Sequence, residues 1–401
     1  MIIKQPLNLL GETEQALRTG RLRSLMEKAG IVCALIRDNA NIYWLTGRVF
    51  RGYIYIDTRL EAPLYFVRQP NHLRDVREGA VHFIRKPEQI ASMLAEASVT
   101  VDAPVALELD SDAYSEAVRL AAVFGQQPQQ NISPVVRLAR AVKTPAEQAM
   151  LRESGIRQSY VYERIPRLYR EGMTDIEFQI EIERASRLEG CLGQFRVAGS
   201  DMELFMGNVL TGDNADTPSP YDFAMGGEGA DPSIPVGADG TVIKPGAPVM
   251  VDVNGNYTGY MTDMTRMYSA APLDSRVVEL NRLSADICDA LAAMMKPGVE
   301  AKALYEKALA MATEAGYADY FMGHRYHAGF VGHGIGIEVN EQPVLAPRSR
   351  DILEEGNVIA VEPKFVLPGL GAVGVENTYI VRAEVPAERI TNARTDISLL
   401  D

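Results

Sequence analysis

Asp252 and Asp263 are the residues from which a chemistry can first be argued. They sit in P-V-M-V-D-V-N-G-N-Y-T-G-Y-M-T-D-M-T-R-M-Y, Pro248 to Tyr268, almost symmetrically about Tyr257–Thr258. Val249 to Val251 predict a buried strand, Asn254, Gly255, Asn256 and Gly259 supply turn chemistry, and Thr265 to Tyr268 predict a returning strand. Across such a hairpin the two aspartates are expected as cross-strand neighbours with Cβ atoms roughly 5 Å apart. Carboxylates that close, among apolar residues, repel unless a cation or a shared proton lies between them. A solvated hairpin with two surface aspartates is the competing reading of this stretch taken alone.

Three later residues favour the cation. His333 lies in G-F-V-G-H-G-I-G-I-E-V, a glycine-rich run in which backbone can approach a ligand closely. Glu362 falls in the apolar middle of V-I-A-V-E-P-K-F, a predicted strand from Val358 to Phe365. Glu376 does the same in G-A-V-G-V-E-N-T-Y-I-V, from Gly371 to Val381. These two glutamates are spaced symmetrically about Pro368–Gly369. Acids are almost never buried unless paired or metal-bound, so two aspartates, two glutamates and a histidine in apolar strands point to a cation site. Four carboxylates and an imidazole exceed the needs of one small ion and suit two, about 3.5–4 Å apart. Such ligands favour manganese, iron, cobalt or zinc without choosing among them. Water held between two such ions would have its pKa brought towards ~7, making a nucleophile at neutral pH.

The elements that must position these residues fall into two domains, 1–137 and 138–401, with the boundary near Val135 to Lys143. The first reads as a small α/β domain. A helix is predicted over residues 13–29, then strands at Ile31–Ile36, Asn41–Gly47, Gly52–Asp57, Pro63–Val67 and Pro104–Asp110, and a helix at Ser111–Phe124. His72 and His82 have no partner spacing, Trp44 reads as core, and no chemistry is expected there. The second domain opens on a capping box, Thr144 to Glu147 with Pro145, and a second box, Thr174 to Glu177, starts another helix. The turn at Gly172–Met173 and its following helix are repeated about 126 residues on, at Gly298–Val299. Two helix–helix–strand units predict a pseudo-twofold domain in which helices cover a curved antiparallel sheet, with the site between its halves. The fold class is therefore α+β. The segment Gly207–Gly229 reads as a long polar loop that could rim the pocket, with Tyr221 and Asp222 able to contact a polar ligand.

Composition excludes other classes. A net charge of −13 over 401 residues argues against nucleic acid or an anionic membrane as partner. No apolar run approaches the ~18 residues of a membrane span, and the first residues lack the pattern of a secretory leader. Three scattered cysteines, Cys33, Cys191 and Cys288, predict buried free thiols and a cytoplasmic protein.

The order D-x-x-G, Y-x-G-Y-x-x-D-x-T-R, G-H-G-I-G, E-P and a late V-E resembles the creatinase, aminopeptidase P and prolidase family over about residues 140–395. N-I-Y-W-L-T-G resembles its N-terminal domain. The resemblance implies the pita-bread fold behind a creatinase-type domain, and Asp252, Asp263, His333, Glu362 and Glu376 as ligands of two divalent ions. Manganese is the first choice, with cobalt, zinc or iron as alternatives. It also implies a homodimer and a metallopeptidase cleaving short Xaa-Pro peptides. The departures are specific. Asn340 stands seven residues beyond His333, where the family has a histidine that contacts substrate, and Pro235 lies near a second family histidine. Gly374 replaces an arginine two residues before the last glutamate. Asn340 can donate a hydrogen bond but cannot carry a proton; His324 and His327, in G-H-R-Y-H-A-G, are candidates to compensate. Catalytic roles are accordingly expected for Asn340, His327 and Glu362, and substrate contacts for Tyr221, Asp222 and His324. The leading expectation is an Xaa-Pro peptidase. Behind it stand a metal-dependent hydrolase or lyase acting on a non-peptide C–N bond of a small metabolite, and then a catalytically silent metal-binding protein.

Overall fold

The computed structural model describes residues 7–69, 81–199, 202–203, 205–221 and 223–401. His72 and Asp222 lie outside the described residues. Contacts divide the chain into two compact units, Met1–Arg140 and Ala141–Asp401.

The first unit runs α1 (Glu12–Lys28), β1 (Cys33–Ile36), α2 (Asn39–Thr46), β2 (Gly52–Asp57), β3 (Leu64–Arg68), β4 (Val81–Ile84), α3 (Ile90–Glu96), β5 (Val105–Leu107), α4 (Tyr114–Val123) and α5 (Ser133–Ala141). Its sheet has the order β4-β3-β2-β1-β5, with β1–β5 and β3–β4 parallel. The strand expected at Asn41–Gly47 is instead the helix α2. A short apolar run satisfies either period, and its ends decide. Asp38 caps it by accepting from the Ala40 N–H at 2.8 Å, and Gly47 closes it at φ +72°. Asn41 is then free to donate to Glu108 (2.6 Å) and accept from Arg140 (2.8 Å), and Trp44 packs into the core.

The second unit consists of two similar halves. The first holds α6 (Pro145–Arg164), α7 (Asp175–Leu188), β6 (Gly207–Thr211), β7 (Val249–Val253), β8 (Gly255–Asn256), β9 (Met261–Thr262) and β10 (Thr265–Ser269). The second holds α8 (Ser275–Met294), α9 (Ala301–Glu314), β11 (Gly332–Gly334), β12 (Glu341–Val344), β13 (Val358–Val361), β14 (Lys364–Leu367), β15 (Gly371–Gly374), β16 (Asn377–Ile380), β17 (Glu388–Arg389) and β18 (Ser398–Leu399). Sheets of order β18-β10-β7-β6 and β12-β11-β13-β16-β17 result, antiparallel except for β10–β18. Both capping boxes are formed, Thr144 with Glu147 and Thr174 with Glu177. The repeat extends to the turns, where Gly172 and Gly298 hold φ +87° and +88°, a region that disfavours side chains. Two apolar cores result: one gathers first-half residues with Ala393 and Leu400, and the other packs Leu210, Met250 and Met267 of the first half with the second half. The loop expected from Gly207 in fact begins as a strand, because Gly207–Thr211 pairs along the whole of β7.

Candidate metal centre

Each half contributes one interrupted hairpin. In the first, Thr265 faces Asp252, and the short β8–β9 ladder sets Gly255 against Thr262 in the same register. That register places Asp263 opposite Asn254. The two aspartates are therefore diagonal neighbours, ~7–8 Å apart rather than roughly 5 Å. The expected centre at Tyr257–Thr258 is one residue early; the turn pivots on Gly259, at φ +89°. The interruption is held by a polar stripe one turn apart along α6. Ser154 donates to the Tyr260 carbonyl (2.7 Å), Gln158 to that of Val253 (2.5 Å), and the Tyr162 hydroxyl accepts from the Val253 N–H (2.9 Å). Backbone groups released from the ladder are thereby paired, which buried amides require.

The second hairpin keeps one register throughout. Val361 faces Asn377 and Lys364 faces Gly374, so Glu362 stands directly opposite Glu376. The strands expected to run unbroken through these glutamates are each split there. On α8, Ser284 donates to the Pro363 carbonyl (2.5 Å) and accepts from the Val375 N–H (2.8 Å). His333 comes from β11, level with Ala360 of β13. Its Nδ1 meets the Gly334 carbonyl at 3.0 Å, which fixes the ring and turns Nε2 to within 3.4 Å of Glu362 Oε1. A second hydrogen bond of this kind is how ligating histidines are oriented.

The hairpins are braced against each other. Thr265 donates to Glu376 Oε2 (2.7 Å), Thr378 donates to the Asp263 carbonyl (2.8 Å), and buried Arg266 donates to the Glu376 carbonyl (2.6 Å). Asn254 turns its amide to Asp263 Oδ2 at 2.7 Å. The sequence marks Asn254 as turn chemistry and Thr265 and Arg266 as part of a strand and a motif, but assigns none of these residues a supporting role. Their signal, small polar residues flanking buried acids, is common in ordinary strands.

Two ligand clusters result. Asp263, His333 and Glu376 bring one ligand atom each within 4.8 Å of one another, and so do Asp252, Glu362 and Glu376. Glu376 Oε1 is buried and has no hydrogen-bond partner among the described residues, so a cation there would complete it. The donor set and this orphaned oxygen fit a divalent ion. A further residue lies in the second cluster. Lys364, wholly buried, places Nζ 2.7 Å from Asp252, 2.6 Å from Glu362 and 3.4 Å from Glu376.

The charges follow this division. Burial, then the neighbouring Asp252 carboxylate, push the Asp263 carboxyl up to about 7. Burial and Asp263 push Glu376 well above the usual carboxylate range. For Glu362 burial opposes ionisation, yet Lys364 and His333 hold it down at about 2. Burial likewise opposes the Lys364 charge, but its three carboxylates hold the ammonium well above the ordinary lysine value.

Asp252, Asp263, His333 and Glu362 lie on the wall of a cavity of about 220 Å³ that also includes Asn340 and apolar Met202, Phe223, Phe330 and Val344. Asn340 accepts from the Ala198 N–H (2.7 Å) and donates to its carbonyl (3.0 Å), so its amide clamps a rim segment. The other expected residues are not brought to this cavity. His327 is exposed and bonded to the Phe321 carbonyl (2.9 Å). His324 pairs with Asp216 (3.0 Å), and the Tyr221 hydroxyl donates to Glu203 (3.1 Å). His324 and Tyr221 line a smaller, neighbouring recess, separated from the cavity by the Phe223–Ala224–Met225 wall.

Comparison with known proteins agrees with this geometry. Residues 149–383 match the model of metallopeptidase family M24, and residues 18–142 that of the creatinase/prolidase N-terminal domain. The chain is 26% identical over 388 residues to the uncharacterized peptidase YqhT of Bacillus subtilis, covering 95% of this chain and 99% of that one. Over 155 residues, 39% of this chain and 42% of the other, it is 31% identical to an Xaa-Pro dipeptidase of Pyrococcus furiosus. Among solved structures, the Xaa-Pro dipeptidase from Bacillus anthracis aligns with a TM-score of 0.79 at 23% identity, over 96% of this chain and 100% of that one. A dipeptidase from Pyrococcus horikoshii aligns with a TM-score of 0.77 at 22% identity, over 96% and 100%. These structures share the fold, a creatinase-type α/β domain followed by the pita-bread arrangement. With more than half of its length inside the family model, and both acid-bearing hairpins within that stretch, the chain belongs to metallopeptidase family M24.

Proposed function

We propose that this chain is a metal-dependent Xaa-Pro peptidase acting on short peptides, with Asp252, Asp263, His333, Glu362 and Glu376 as its metal-facing set. The observation that carries the reading is that four carboxylates from two hairpins and one imidazole from β11 converge beside a single, largely apolar cavity. At about 220 Å³ that cavity is small for a ligand pocket, the scale of a dipeptide. A divalent ion bound here supplies Lewis acidity to the scissile carbonyl and acidifies the attacking water. Manganese is the first metal to test. Glu362, kept ionised, is the group that receives the proton of that water. The role of Asn340 is positioning: it holds Ala198, four residues before Met202 of the cavity wall. Phe223, Phe330 and Val344 exclude water around the substrate.

A second reading is favoured by one observation. His333 is the only histidine on the cavity wall among the described residues, so no imidazole stands ready to protonate a departing amine. A metal-dependent hydrolase or lyase acting on a small non-peptide C–N bond would need that group less. Cytoplasmic residence is supported by three buried, unpaired cysteines, and a homodimer by the family resemblance.

The test is a mass-spectrometric cleavage panel of Xaa-Pro di- and tripeptides beside small amides, using manganese-loaded protein with Asp263→Ala as control. Cleavage on the amino side of proline that disappears in the control supports the peptidase. Turnover of amides alone moves the assignment to the second reading.

A further inference from the structure

We infer that Lys364 is a resident cation, whose ammonium takes the place of one of the two ions that five such side chains could otherwise hold. The site then accepts a single divalent ion, on Asp263, His333 and Glu376. The inference rests on the reading of these side chains as metal-facing, not on peptide hydrolysis.

Three observations carry it. First, the carboxylates that Nζ contacts, Asp252, Glu362 and Glu376, are the same three that form the second ligand cluster. An ion held by those oxygens would sit at ~2.0–2.2 Å from each, inside the volume the ammonium fills. Two positive charges cannot share it. Second, Lys364 is built into this position. It lies two residues beyond Glu362 on the same strand face, its side chain is 0% exposed, and its neighbour across the ladder is Gly374. A Cβ at Gly374 would stand 2.7 Å from Lys364 Cγ, so the absent side chain at 374 is the channel through which the lysine reaches the acids. Third, the remaining cluster keeps what an ion requires. Lys364 makes no hydrogen bond to Asp263 or His333, and Glu376 Oε1 is left unpaired. Four carboxylates, one ammonium and one divalent ion leave one negative charge. A second divalent ion would reverse the sign.

The experiment is a metal count, by native mass spectrometry and elemental analysis, on the full chain titrated with Mn(II). Wild type is expected to saturate at one ion per chain and Lys364→Ala at two, a twofold change, while Asp263→Ala falls below one. Saturation of wild type at two overturns the inference, and does so without any variant should Lys364→Ala fail to fold. Saturation of both proteins at one also overturns it, because the lysine would then not be what excludes the second ion. Wild type that binds none overturns the metal reading itself. Peptide cleavage enters none of these counts, so the peptidase reading stands or falls separately.

Discussion

The two hairpins of the second unit are built alike and charged differently. Each is a ladder interrupted at a pair of acids, with the loose backbone groups taken up by the buried face of a helix: Ser154, Gln158 and Tyr162 on α6, Ser284 on α8. In the first hairpin the aspartates are offset diagonally, and the group facing Asp263 is the neutral amide of Asn254. In the second the glutamates stand opposed, and an ammonium two residues away joins them. The second repeat supplies an ammonium to its own glutamates and to Asp252, and leaves Asp263 of the first repeat to be met from solution. Repetition of a backbone device therefore does not imply repetition of its electrostatics.

The comparison can be broken most severely at the ion. Asp263→Ala removes a side chain that only a dissolved cation would neutralise, and activity is expected to fall on the order of 10³-fold, the several kcal/mol a metal supplies. Retention of a tenth of wild-type kcat/KM would rule out Asp263 as a ligand. Next is Lys364→Ala in chelator, which strands three buried or half-buried carboxylates. A loss of about 3–5 kcal/mol is expected, read as a lowered melting temperature that added Mn(II) partly restores. A melt unchanged from wild type would show the ammonium to be dispensable. Gly374→Ala should cost about 1–3 kcal/mol by crowding the lysine stem, and the double variant with Lys364→Ala should recover most of it. Additive effects would mean the two positions do not interact. The smallest effect tests what links the halves, the Glu388 carboxylate held by Arg152 of α6 and by Arg382. Arg152, then Arg382, lower its pKa to about 2. A depressed carboxyl stabilises the fold above its unfolded value near ~4.3 and loses that contribution as pH falls towards 2. Glu388→Gln should therefore lower stability, read from the urea midpoint, by less than ~1 kcal/mol at pH 6 and by clearly less at pH 2. A gap that widened in acid would refute the assignment.

Much of this was legible in the sequence, and the limits have physical causes. Helix caps are local, so Thr144 and Thr174 announced α6 and α7 correctly. The four acids that the structure brings together with His333 stand out in the sequence because buried acids need a reason. The second hairpin's symmetry about Pro368–Gly369 agrees with its register, whereas the first, whose register is equally unbroken, is centred one residue beyond Tyr257–Thr258, so its aspartates fall diagonal rather than opposite. Asn41–Gly47 was misread because alternation over seven residues also fits two helical turns. Lys364 was overlooked although its period-two relation to Glu362 and its place opposite Gly374 follow from the same symmetry. A lysine beside a strand acid ordinarily reads as surface, and only the missing side chain across the ladder says otherwise. His324, His327 and Tyr221 show the reverse error: proximity in sequence to His333 or to β7 leaves His324 and Tyr221 behind the Phe223–Met225 wall and His327 exposed, bonded to the Phe321 carbonyl.

The buried lysine also bears on how the molecule matures. Glu362 and Glu376 must be brought face to face whenever the second hairpin closes, and Lys364 belongs to that same short stretch of chain. The hairpin therefore leaves synthesis carrying its own counter-charge and closes without waiting for an ion. Metal loading becomes a docking event on a finished fold rather than a step of folding, unlike small domains that are unfolded until their metal arrives. Scarcity of metal would then limit how many molecules are active, and would touch survival only through the stabilisation that binding adds to a fold already formed.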